Sequence, residues 1–110
     1  MKADIFDAYV DAICENFQMS KRELFKKTKQ RAIVTARQAL YYVCMKRNMR
    51  IVEIQTMMKK HGLNFPHTTI LHGFRAMSER MEHDQDYQSI INQIQTHGAS
   101  QEEERVRHAQ

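Results

Sequence analysis

Pro66-His67-Thr68-Thr69-Ile70-Leu71-His72-Gly73-Phe74-Arg75-Ala76-Met77 is the stretch from which the rest of the chain is read. A proline, two hydroxyls and two histidines lead into a helical pattern with two faces. At about 100° per residue, Thr68, His72, Arg75 and Glu79 share one side, while Ile70, Phe74, Met77 and Met81 share the other. The apolar side can be buried and the polar side presented. Just upstream, residues 50 to about 61 repeat the pattern, with Ile51, Ile54, Met57 and Met58 facing inward. Gly62 suits the end of that helix, and Leu63-Asn64-Phe65-Pro66 makes the turn. Two helices joined by a turn, the second offering polar residues at its start, give the pattern of a helix-turn-helix.

The remaining segments supply the body on which such a pair rests. Residues 4 to about 17 place Ile5, Tyr9, Ala12, Ile13 and Phe17 on one stripe, with Asp4, Asp7 and Asp11 toward the end that the helix dipole makes positive. Ser20-Lys21-Arg22-Glu23 has the spacing of a capping box and opens a short helix carrying Leu24 and Phe25 inward. Lys26-Lys27-Thr28-Lys29-Gln30-Arg31 has no apolar anchor and is expected as a frayed helix end and loop. Residues 32 to about 47 form the longest clear pattern, with Ile33, Ala36, Leu40, Val43 and Cys44 inward and Tyr41 and Tyr42 widening the stripe. The opening stretch continues to His83, and residues 86 to about 96 carry Tyr87, Ile90, Ile91 and Ile94. The fold class is therefore all-α: a compact bundle of five to six helices over residues 1–97, followed by a polar mobile tail at 98–110.

Composition narrows the chemistry. At 110 residues the chain is one small domain, of a size that buries roughly two-thirds of the surface its unfolded form exposes. Cys14 and Cys44 lie within apolar helical patterns and are expected as buried free thiols of a reducing compartment. The start lacks the apolar run of a signal peptide, and no stretch approaches the roughly 20 apolar residues of a membrane span. The expectation is a soluble, cytoplasmic protein.

The net charge of +4 is unevenly spread, with twelve Lys or Arg against two Glu between residues 21 and 60. Such a concentrated basic middle is the footprint of a polyanion binder. No pair among His61, His67, His72 and His83 has the spacing of a metal site, alone or with the cysteines. Cys44 on an inner stripe is unsuited to nucleophilic catalysis. No enzyme activity, metal or cofactor is expected. At the start of the opening stretch, His67, Thr68 and Thr69 can bond base edges or phosphates, and a Thr methyl can pack against a thymine methyl.

These residues resemble the C-terminal DNA-binding domain of the bacterial replication initiator DnaA, over residues from about 5 to 94. Leu24-Phe25-Lys26-Lys27-Thr28-Lys29-Gln30-Arg31 is similar to the family's basic loop, and Ala36-Arg37-Gln38-Ala39-Leu40-Tyr41-Tyr42 to its Arg-Gln-containing long helix. Ile51-Val52-Glu53-Ile54 resembles the start of its first helix-turn-helix helix. His67-Thr68-Thr69-Ile70-Leu71-His72 resembles its His-Thr-Thr-Val-Leu-His signature. The resemblance implies a Trp-repressor-like fold and double-stranded DNA as partner. It implies that His67, Thr68 and Thr69 read bases in the major groove, and that Lys29 stands where the family has a minor-groove Arg. Lys27, Arg31, Arg37 and His72 would hold the DNA backbone, and Ile51 and Val52 would offer it their amides.

Pro66 replaces the family's base-reading Asp, and the turn before it is longer than the family's. Both departures bear on which sequence is read, since a good base contact is worth about 1–3 kcal/mol of discrimination, while the phosphate contacts are left in place. The Gly-x-x-x-x-Gly-Lys-Ser/Thr loop of the family's ATPase is absent from this sequence.

Two functions fit these residues. One is a sequence-preferring, monomeric DNA-binding module in replication or regulation, of the stand-alone kind that phages and mobile elements carry. The other is a non-enzymatic interaction or packaging module that keeps the fold and binds an acidic protein or the DNA backbone.

Overall fold

The computed structural model describes the backbone of residues 2–109 and the side chains of residues 2–98. Its helices are α1 (Lys2–Asn16), α2 (Lys21–Leu24), α3 (Arg31–Lys46), α4 (Ile51–Lys60), α5 (His67–His83) and α6 (Gln85–Ala109), with no strand among the described residues. The all-α bundle expected from the sequence is the fold observed.

Three helices stop by one device. Gln18, Asn48 and Gly62 have positive φ, at 54°, 65° and 89°. After each, the next amide reaches back to close the helix: Met19 to the Cys14 carbonyl, Met49 to Cys44 and Leu63 to Met58, each at 3.0 Å. The left-handed residues' own amides bond Glu15, Met45 and Lys59. This is the Schellman pattern, which satisfies carbonyls that would otherwise be left open. The apolar residue that follows then turns inward. Met49 and Leu63 are buried, and Met19 packs against the core. At the start of α2 the capping box forms as its spacing requires, with Glu23 N–H donating to Ser20 Oγ and Ser20 N–H to Glu23 Oε1, both at 3.1 Å.

Helix α3 is the centre of the bundle, packed between α1 and α5, and α6 lies along α1. Its inner stripe is the expected one, and Tyr41 joins it while Tyr42 sits at the rim, stacked on Phe74 at 5.4 Å. The buried face of α1 differs from expectation. Phe6 and Val10 are buried beside Tyr9, Ala12 and Ile13, while Ile5 and Phe17 are only partly covered. Two helices press on α1 from different sides, so its apolar face is wider than one stripe.

Two glycines allow close approach. A Cβ on Gly73 would lie 2.7 Å from the Tyr41 ring, where α5 crosses α3, and one on Gly98 would lie 2.5 Å from the Tyr9 ring, where α6 crosses α1. Gly98, where the tail is expected to begin, is buried against α1. The backbone of α6 runs on as helix to Ala109. The side chains of residues 99–110, the rest of the expected tail, lie outside the described residues.

Arg37 shapes the loop between α2 and α3. It is only 5% exposed. Its guanidinium donates to the carbonyls of Leu24 at 2.8 Å, Thr28 at 3.3 Å and Lys26. It also lies 5.7 Å from the Phe65 ring centroid, beneath the turn between α4 and α5. Arg37 was expected at the DNA backbone; its donors face backbone carbonyls of its own chain. A rigid planar fork of five donors holds carbonyls spread along a loop in fixed directions, where an ammonium is a compact point charge on a flexible stem.

At the far end of α4, the Glu53 carboxylate accepts the Arg50 N–H at 2.9 Å and pairs with Lys2 Nζ at 2.6 Å, tying α1 to α4. The Lys2 hydrogen bond, helped by the Arg50 amide, pulls Glu53 down to about 2.

Three outcomes follow for stability. Gly73→Ala overpacks the α3–α5 crossing by roughly 1–3 kcal/mol against a helix-propensity gain of about 1. The net loss of about 1 kcal/mol should lower Tm by roughly 4–8 °C in a thermal melt. Arg37→Met keeps the stem but strands three carbonyls, at a cost of roughly 2–4 kcal/mol in urea unfolding; Arg37→Lys should restore little of it. The Glu53 contribution is present above the ordinary carboxylate value of 4.5 and lost as pH falls toward about 2. The Tm gap between the native protein and Glu53→Gln should therefore close across that window.

Candidate nucleic-acid interface

The N-terminus of α5 carries its polar residues outward because Pro66 starts the helix. Proline sits at the cap with φ −72°, and the first amides of a helix have no intrahelical partner in any case. The Thr69 amide already bonds the Pro66 carbonyl at 3.1 Å. His67, Thr68, Thr69 and His72 are all exposed, while Ile70, Gly73 and Met77 on the opposite side are buried. The two faces expected from the sequence are thus both realised.

Beside this helix start is a groove of about 560 Å³ between the loop, α3 and α5. Thr28 and Lys29 of the loop, Thr68, Thr69 and His72 of α5, and Val34, Gln38, Tyr41 and Phe65 line it together. The structure therefore brings Lys29 together with three of the residues implied as readers or supports on α5. Arg37 also reaches this groove, but from beneath and with its donors occupied. Lys27 and Arg31 are exposed on the same loop and at the start of α3, outside the groove lining. His67 stands at the tip of α5.

Ile51 and Val52 are the first two residues of α4. Ile51 packs against the core and Val52 is 45% exposed, while Glu53 N–H is already bonded to the Arg50 carbonyl at 3.0 Å. Val52 therefore leaves one side of the first turn of α4 open, and amides at a helix start are donors suited to an anion.

Several groove residues are not among the site residues that the sequence implies. Val34, Gln38 and Tyr41 fall at helical spacing on one face of α3, a signal that was available. Phe65 was treated only as part of a turn. Its carbonyl accepts from Gln55 Nε2 at 2.8 Å, and its ring lies over the Arg37 guanidinium, so the turn is braced from α4 and from α3 at once. Another contact, with no sequence signal, is the stack of His61 on Phe25, centroids 3.9 Å apart and 5° from parallel, with Phe6 at 6.0 Å from His61. It joins the end of α4 to the start of the basic loop.

The electrostatics favour an anion on this side. Of the two acidic residues in the basic middle, Glu23 is engaged in its capping box and Glu53 is paired with Lys2. Burial pushes the Tyr41 hydroxyl up to about 12, so it adds no negative charge. Cys44 is buried and Cys14 partly so, both unpaired to sulfur, and burial raises both thiols. Among the described residues no group of three His, Cys, Asp or Glu is placed to hold a metal ion, and no helix is long and apolar enough to cross a membrane.

No solved structure matches the chain. Over 92 residues, 83% of its length, it is 27% identical to the chromosomal replication initiator protein DnaA of Lachnoclostridium phytofermentans. The chain spans 19% of that relative's length. Residues 7–77, from α1 through the helix-turn-helix formed by α4 and α5, match the bacterial DnaA protein helix-turn-helix family. The chain belongs to that family, as a DNA-binding helix-turn-helix module of the DnaA kind.

Proposed function

We propose that this module binds duplex DNA with a sequence preference, as a monomer, in a regulatory or replication-accessory role in the cytoplasm. The observation that carries this is the shared groove: Lys29 on the basic loop and Thr68, Thr69 and His72 on α5 line one concavity. A protein so built can set α5 in the major groove while the loop reaches the adjoining minor groove. In that arrangement His67, Thr68 and Thr69 meet base edges, Lys29 enters the minor groove, and Lys27, Arg31 and His72 hold phosphates. Ile51 and Val52 supply amides to a further phosphate at the start of α4.

Pro66 brings no base-reading carboxylate to the tip of α5, and a lysine is a poorer occupant of a narrow minor groove than an arginine. The preferred site is therefore not assumed to be the DnaA box of the relatives, and selection has to find it.

Selection of bound sequences from a random duplex pool is the direct test, and an enriched motif is the expected result. His67→Ala and Thr68→Ala should each lower the ratio of selected-site to random affinity, by about 1–3 kcal/mol for a lost bidentate contact. Lys27→Ala and Arg31→Ala should weaken both duplexes alike. Binding without enrichment would reduce the function to backbone recognition. Absence of duplex binding at about 50 mM salt, a permissive condition for a basic module, would favour an acidic protein partner instead.

A further inference from the structure

The C-terminal end of α4 carries two cations that the contacts above leave unused. Lys59 and Lys60 are exposed on its last turn, and neither forms an ion pair among the described residues. Their backbone is fixed from three directions. The Schellman closure at Gly62 ends the helix, Gln55 holds the Phe65 carbonyl, and the His61–Phe25 stack presses the turn against the residue from which the basic loop departs. Lys26 and Lys27 follow Phe25 directly, so that stack brings two lysine pairs from distant parts of the chain to one edge of the molecule.

The length of α4 says what that edge can meet. Ten residues at about 1.5 Å each make a rod of roughly 15 Å, slightly longer than the roughly 12 Å width of the major groove. Laid across that groove with the Ile51 and Val52 amides against one DNA strand, α4 is long enough to bring its other end to the opposite strand. We infer that Lys59 and Lys60 form a second phosphate clamp, on the strand opposite the one held by the start of α4. The lengthened turn thus extends the DNA footprint. This rests on the duplex-binding function proposed above.

A competing role for these lysines is purely local, since cations at a helix C-terminus favour the helix dipole. That role would appear in stability and not in counterion release. The test is the affinity of the full chain for a short random-sequence duplex between about 50 and 200 mM salt. The comparison is among the native protein, the double variant Lys59→Gln/Lys60→Gln and the charge-preserving Lys59→Arg/Lys60→Arg.

Loss of two contacts at roughly 0.9 each should flatten the log K against log salt slope by about 1.8. Sequence preference should stay as it was, and the arginine pair should keep the native slope. An unchanged slope in the glutamine variant, alongside a flattened one in Lys27→Gln, would overturn the clamp while leaving duplex binding intact. A fall in Tm with no change in slope would assign the lysines to the dipole instead. A native protein that binds no duplex at all would overturn the duplex-binding function itself, and the clamp with it.

Discussion

The buried guanidinium of Arg37 is the contact on which the DNA-facing surface depends. Without it, the segment after α2 would have no reason to adopt one shape, because Lys26 to Gln30 contribute no large apolar side chain to the core. With it, three carbonyls converge on one planar group, and the loop is drawn over α3 with Lys29 toward α5 and Lys27 toward solvent. A buried charge is costly unless its donors are met, and here the loop backbone meets them. The same side chain underlies the Phe65 ring, so the loop and the helix-turn-helix turn share one support. Positive charge pointing inward thereby organises positive charge pointing outward.

Legibility from the sequence followed the range of the interaction. Local rules worked well: the Ser20–Glu23 box, the stop at Gly62 and the two faces of α5 depend only on residues a turn or so apart. They were readable for that reason. Asn48 and Gln18 end their helices as Gly62 does, but only Gly62 has no Cβ to oppose a positive φ. The other two therefore sent a weaker signal.

Contacts made at a distance were harder to foresee. Phe6 is buried beside the Phe25 and His61 rings, and those two rings stack on each other, so residues 6, 25 and 61 meet through tertiary packing alone. Arg37 illustrates the limit most clearly. Its position in a family-like motif was visible, but an arginine beside a DNA site looks the same in sequence whether it faces phosphate or its own backbone. Only the path of the loop distinguishes the two. For the candidate interface, the resemblance named residues on three separate segments. It is the meeting of Lys29 with Thr68, Thr69 and His72 around one groove that makes them a plausible unit.

The bracing of the turn at both ends has a consequence for variation. Between the closure at Gly62 and the Gln55 bond to Phe65, only a short piece of chain remains unconstrained. Closing a loop costs free energy that grows only with the logarithm of its length. A few added residues between two fixed ends are therefore tolerated at small thermodynamic cost, provided the ends stay where they are. The connection between α4 and α5 can thus differ in length and charge from one relative to another while α3, α4 and α5 keep their packing. Insertions there change what the surface touches before they change whether the protein folds.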